Sequence, residues 1–125
     1  MNALLQSWVA YADLNDTVRT PRDTEYLAFA RATRAMTDAV ATRDTDFARV
    51  AQALTLNRRL WSLLAEDLTS AGNQLPDQLR GSLLGLAQFV MNHTEAVLNG
   101  TADANPLIDV NTAIMRGLRG QDGAP

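Results

Sequence analysis

Phe47, Val50, Leu54, Asn57, Trp61, Leu64 and Leu68 follow one another at strictly alternating spacings of three and four. Only an α-helix returns side chains to one face at that interval, so the stretch must lay a seam against a neighbouring element. Leu56, Leu60 and Leu63 form a second seam beside the first. A helix apolar over so much of its circumference belongs at the centre of a fold. Asp44-Thr45-Asp46 stands before it, and both carboxylates read as capping groups for orphan backbone N–H donors. Ala71-Gly72-Asn73 reads as its end, with glycine taking a left-handed backbone.

The same period recurs on both sides. Leu4, Trp8, Tyr11 and Val18, with Leu5 beside them, predict a first helix that fades at Asn15-Asp16-Thr17. Thr20-Pro21-Arg22-Asp23 is a start signal, with a capping hydroxyl, a proline suited to the first turn and an acid favoured there. Tyr26, Ala30, Thr33, Met36 and Val40 follow on one stripe. Leu75-Pro76-Asp77 opens a helix bearing Leu79, Leu83, Leu86, Val90, Thr94 and Val97, which Asn99-Gly100 stops. Asn105-Pro106 opens a short last helix with Leu107, Val110, Ile114 and Leu118, weakened by Gly117 and Gly120. No alternating β-branched run predicts a strand. The expectation is an all-α, compact antiparallel bundle of four to five helices. Residues 1–120 form one domain in this reading, and 121–125 a disordered tail.

Composition removes most chemistry. The chain has no cysteine, which excludes thiol catalysis and thiolate metal sites, and a single histidine, His93, which argues against a mononuclear zinc site or a Ser-His-Asp arrangement. His93 and Glu95, two apart on a helix, point to different faces and read as structural. No phosphate-binding glycine loop or nucleophile elbow is present, so neither an enzyme nor a cofactor is expected. No apolar run is long enough to span a bilayer, and no cationic leader precedes one, so the chain reads as cytoplasmic.

All eleven basic residues are arginine, against fourteen acids, for a net charge of −3. Eight of the eleven lie between Arg19 and Arg59, where only five acids oppose them. That local excess could meet phosphates, but no aromatic platform accompanies it and the whole chain is acidic, so direct RNA binding is not the expectation. Gly81 and Gly85 each cost the helix ~1 kcal/mol against alanine. We read them as sites of close packing within the bundle, the alternative being a notch for a partner helix. Asn57 lies in the central seam and must hydrogen-bond a neighbouring helix end or loop, since an unpaired amide there costs ~1–3 kcal/mol. Arg58 or Arg59 can hold a carboxylate across the bundle.

Four stretches, in order and spacing, resemble the FlaF family of flagellar biosynthesis regulators. They are Pro21-Arg22-Asp23-Thr24-Glu25-Tyr26, Asn57-Arg58-Arg59-Leu60-Trp61, Gly72-Asn73-Gln74-Leu75-Pro76, and Pro106-Leu107-Ile108-Asp109-Val110-Asn111 continuing to Ile114-Met115-Arg116-Gly117-Leu118. Asp23, Thr112, Gly81 and Gly85 depart from the family pattern, and the first eighteen residues match it least. The resemblance implies a cytoplasmic protein of bacterial flagellum assembly that promotes flagellin synthesis and export. It implies flagellin as partner, with FlbT, a protein that restrains flagellin translation, as a second. The alternative it carries is a post-transcriptional regulator acting on flagellin mRNA, directly or through FlbT.

Flagellin polymerises through amphipathic terminal helices, and a small helical bundle with an apolar groove suits such a segment. The expected partner-binding residues are Arg58, Arg59 and Trp61, which combine residue types common at binding hot spots, followed by Leu107, Ile108 and Ile114 on the last helix. Monomer and dimer both remain open; the first helix, with Leu4, Leu5, Trp8 and Tyr11, is the best source of a leftover apolar face.

Overall fold

The structure, a computed structural model, describes residues 21–123, with side chains described from Thr24 to Leu118. Four helices make up the described residues: α1 Pro21–Val40, α2 Phe47–Leu68, α3 Asp77–Leu98 and α4 Asn105–Gly123. The expected helix over Leu4–Val18 and the Thr20 cap lie outside them. Short loops join the four helices, and α1 packs on α2 and α4 while α3 packs on α2 and more sparsely on α4. The result is an antiparallel four-helix bundle, as the apolar periodicity predicts. Pro21, Leu68 and Asp77 therefore share one end, and Val40, Phe47 and Leu98 the other.

Helix ends follow local chemistry. Asp46 accepts from the Arg49 backbone N–H at 3.2 Å and caps α2. Asp44 is no cap: it stands exposed beside Arg43. α2 also ends earlier than expected, at Thr69, whose backbone N–H returns to the Ala65 carbonyl while that of Ser70 bonds Asp67 O. Gly72 has an ordinary backbone, because Asn73 has taken over the turn by pairing with Asp67 and with the Leu75 N–H. The left-handed glycine is Gly100 instead, at φ 80°. The N–H of Gly100 bonds Val97 O and that of Thr101 bonds Ala96 O, the paired pattern that satisfies a helix's last carbonyls. α4 runs through Gly117 and Gly120 to Gly123, three residues into the expected tail. Half-buried Leu118 continues its apolar face past Gly117, and a glycine's cost of ~1 kcal/mol does not stop a helix anchored that way.

The core is built from small and branched residues around two rings. Ala28, Ala32 and Ala39 let α1 approach closely, while Met36, Leu54, Leu60 and Leu107 fill the interior. Phe29 meets Trp61 edge to face, with centroids 5.7 Å apart at 79°, a geometry worth ~0.5–1.5 kcal/mol beyond area burial.

Candidate functional site

Two arrangements on this frame are candidates for function. The first is polar and central. The Trp61 indole Nε1–H donates to Asn111 Oδ1 at 2.9 Å, and Asn111 Nδ2 donates to Asn57 Oδ1 at 2.7 Å. All three side chains are fully buried, so the chain of bonds stitches α2 to α4 diagonally through the bundle. Asn57 Nδ2 has no hydrogen-bond partner there. Asn57 thus finds its partner in the middle of a helix, where a helix end or loop was expected. This network is structural: nothing from outside reaches it.

That geometry corrects the expected binding residues. Trp61 and Leu107 are fully buried and hold the core, so neither presents a surface to a partner. Their seam positions place them inward, and aromatic identity alone could not distinguish an anchor within the fold from one offered outside it. Arg58 reaches across to α3, its Nη1 3.3 Å from Glu95 Oε2, which bears out the expected bridge to a carboxylate. Arg59 is exposed on the outer side of α2. Ile108 and Ile114 are half-buried against the core. The six residues do not converge on one patch.

The second arrangement is a surface. The Arg58–Glu95 pair sets Glu95, near the end of α3, level with the middle of α2. α3 is therefore slid along the bundle toward its own start. Its buried residues all lie from its midpoint onward, at Ala87, Val90, Thr94 and Val97. The first half runs beyond the packed core. There Leu75 is 38% exposed, Leu79 41% and, further along, Phe89 39%. At 100° per residue Leu79, Ser82, Leu86 and Phe89 form one stripe. Phe89 stacks on His93, with centroids 5.3 Å apart, and His93 Nε2 donates to the Asp103 carbonyl at 2.8 Å, closing the stripe's far end against the loop before α4.

Gly81 and Gly85 flank that stripe, and both are exposed. A Cβ added at either would meet nothing within 4 Å among the described residues. The expected close packing within the bundle is therefore absent: at about 100° per residue the two glycines lie about 180° and 140° round α3 from buried Val90, on its outward side. From Gly81 to Thr94, α3 carries no Asp, Glu, Arg or Lys. An exposed helix face that is apolar, small and uncharged is unusual in water, since such surfaces commonly carry interspersed charge. The sequence signal was present in that charge-free run, which stood in view behind the two glycines.

No helix among the described residues is long and apolar enough to cross a membrane. The family model for the flagellar protein FlaF matches residues 7–118, nearly the whole chain. No curated protein and no solved structure matches it.

Proposed function

The chain belongs to the FlaF family of flagellar proteins, and from that premise we propose that it is a non-catalytic, cytoplasmic chaperone and regulator that binds flagellin and promotes its synthesis and export. The observation that carries this reading is the open face of α3. A partner's amphipathic helix laid along Leu79, Ser82, Leu86 and Phe89 would bury apolar surface on both sides at ~25 cal/mol per Å². It would strip water from no charged side chain of the stripe, and Gly81 and Gly85 would let its backbone come close. The terminal segments of flagellin have that amphipathic character. The partner contacts therefore move from Trp61 and Leu107 to the stripe on α3, with half-buried Ile114 on the neighbouring helix.

An effect on translation follows indirectly, by sequestering or stabilising newly made flagellin. The competing reading, action on flagellin mRNA directly or through FlbT, would draw on the exposed arginines Arg34, Arg43, Arg49 and Arg59. Those lie on α1, on α2 and in the loop between, away from the uncharged face, which offers phosphates no cation. Co-purification from flagellated cells tests the choice. Flagellin retained by the wild-type chain and lost with Leu79→Ser supports the proposal. Retention of flagellin mRNA leader without flagellin overturns it.

A further inference from the structure

The turn that closes α3 contains the only Asn-Gly pair in the sequence, Asn99-Gly100. Every other asparagine precedes a residue with a Cβ, and Asn105 precedes Pro106, whose nitrogen carries no proton. The difference is chemical, because the backbone nitrogen after an asparagine can attack that asparagine's own carboxamide. A Cβ on the attacking residue crowds the approach, and glycine has none.

The fold sets Asn99 apart as well. Asn57 and Asn111 are fully buried within helices. Asn73 has both ends of its carboxamide engaged, and Asn92 accepts from Gln88 in mid-helix. The Asn99 carboxamide makes no hydrogen bond among the described residues. Asn99, Gly100 and Thr101 are all exposed, so the turn can come apart without drawing an apolar side chain out of the core. Surface bonds hold it closed. The Asn99 N–H bonds Glu95 O, that of Gly100 bonds Val97 O, and that of Thr101 bonds Ala96 O, where the Thr101 hydroxyl also donates. While Val97 O holds the Gly100 N–H, that nitrogen is not free to attack.

We propose that Asn99 is a site of spontaneous deamidation, paced by the opening of the turn after α3. The Gly100 nitrogen gives up its proton and bonds Asn99 Cγ. The carboxamide C–N bond breaks, and its NH2 group takes up a proton and leaves as ammonia. Water then opens the resulting imide ring at either carbonyl. Opening at Cγ gives aspartate; opening at the main-chain carbonyl gives isoaspartate, in which the backbone runs through Cγ. Both products put a carboxylate at the negative end of the α3 dipole. Isoaspartate also lengthens the main chain by one carbon, so the Gly100 and Thr101 N–H groups lose register with their carbonyls. The loop they anchor carries the Asp103 carbonyl bonded to His93, on whose ring Phe89 stacks. Modification therefore loosens the far end of the α3 stripe. Only the consequence for partner binding rests on the flagellin reading.

Peptide mapping by mass spectrometry of the full chain, held at mildly alkaline pH with and without urea, tests the proposal. In the folded chain Asn99 should convert ahead of Asn73 and Asn92 and yield both acids, and urea should speed it. Conversion of Asn73 or Asn92 ahead of Asn99 overturns the proposal, and so does a rate at Asn99 that urea leaves unchanged. Thr101→Val removes the hydroxyl bond from an exposed position and keeps the N–H bond. It should speed conversion of the folded chain by about twofold to tenfold, the weight of one neutral hydrogen bond, and change nothing in urea. An unchanged rate in the folded variant means that turn opening does not pace the reaction, which also overturns the proposal. In the isoaspartate form, separated by chromatography, the His93 ring signals should shift. In Asn99→Asp, which adds the charge without lengthening the backbone, they should stay near those of the wild type. Unchanged His93 signals in the isoaspartate form refute the link to the stripe. Failure of the unmodified chain to bind flagellin would instead refute the functional reading and leave the deamidation in place.

Discussion

Trp61 donates its indole N–H to Asn111 across the interior of the bundle, and neither side chain has any contact with solvent. Asn111 satisfies two groups at once, since its own Nδ2 donates to Asn57. Burial raises the cost of an unpaired polar group, so the network's members are not equivalent. Asn111→Ala orphans both the indole and the Asn57 carbonyl, and should lower unfolding free energy by about 2–4 kcal/mol. Asn57→Ala breaks one bond and also removes an amide nitrogen that has no partner, so it should cost less, about 1–2 kcal/mol. Urea titrations followed by circular dichroism give both values. An equal or reversed order would contradict the assignment.

Two glycines should respond to alanine with opposite sign. Gly100 sits at φ 80° in the turn after α3, where an L-side chain is strained, and Gly100→Ala should cost about 1–2 kcal/mol. Gly81 is helical with open space above it, and Gly81→Ala should gain up to about 1 kcal/mol. Thermal melts of the two variants beside the wild type measure the difference.

The Arg58–Glu95 pair is positional evidence for the slide of α3 and a weak source of stability. Arg58's side chain is 38% exposed and that of Glu95 65%, so water and salt screen the attraction. A double-mutant cycle on Arg58→Ala and Glu95→Ala should return a coupling of about 0–1 kcal/mol that shrinks as salt is added. A coupling that salt leaves unchanged would mean the pair is more enclosed than the structure shows.

The elements of the fold were readable in the periodicity, and so was the depth of several residues. The three-four seam from Phe47 to Leu68 places Val50, Leu54, Asn57, Trp61 and Leu68 inward, and all five are buried. Phe47, at the head of the seam, is 51% exposed. The reason is general: spacing reports the angular phase of a side chain about its own axis and says nothing of how far one helix slides along another. The slide of α3 is such an axial fact. It uncovers Leu79, which carries the correct phase for the core; Gly81 and Gly85 face outward by phase alone, about 180° and 140° round the helix from buried Val90. Helix ends failed for a related reason. Gly72 and Gly100 look alike in sequence, and side-chain bonds from Asn73 decide that only Gly100 needs the left-handed conformation.

Phe89 and Leu79 separate surface function from stability. Both are about two-fifths exposed, so neither change opens a sealed cavity. Leu79→Ser should lower unfolding free energy by no more than about 1 kcal/mol. Each of Leu79→Ser and Phe89→Ser should weaken flagellin binding by about tenfold or more, as loss of a central apolar contact does. Titration of the variants against full-length flagellin checks the claim, with circular dichroism confirming that the helices persist.

Calorimetry of the full chain against full-length flagellin, its isolated terminal segments and the flagellin mRNA leader tests the central claim most directly. The account predicts heat of binding with flagellin and with a terminal segment, at an affinity of about micromolar, weakened at least about tenfold by Gly85→Glu and little changed by Arg59→Ala. Absence of binding to flagellin at roughly tens of micromolar, together with binding to the mRNA leader that Arg59→Ala weakens, would contradict it.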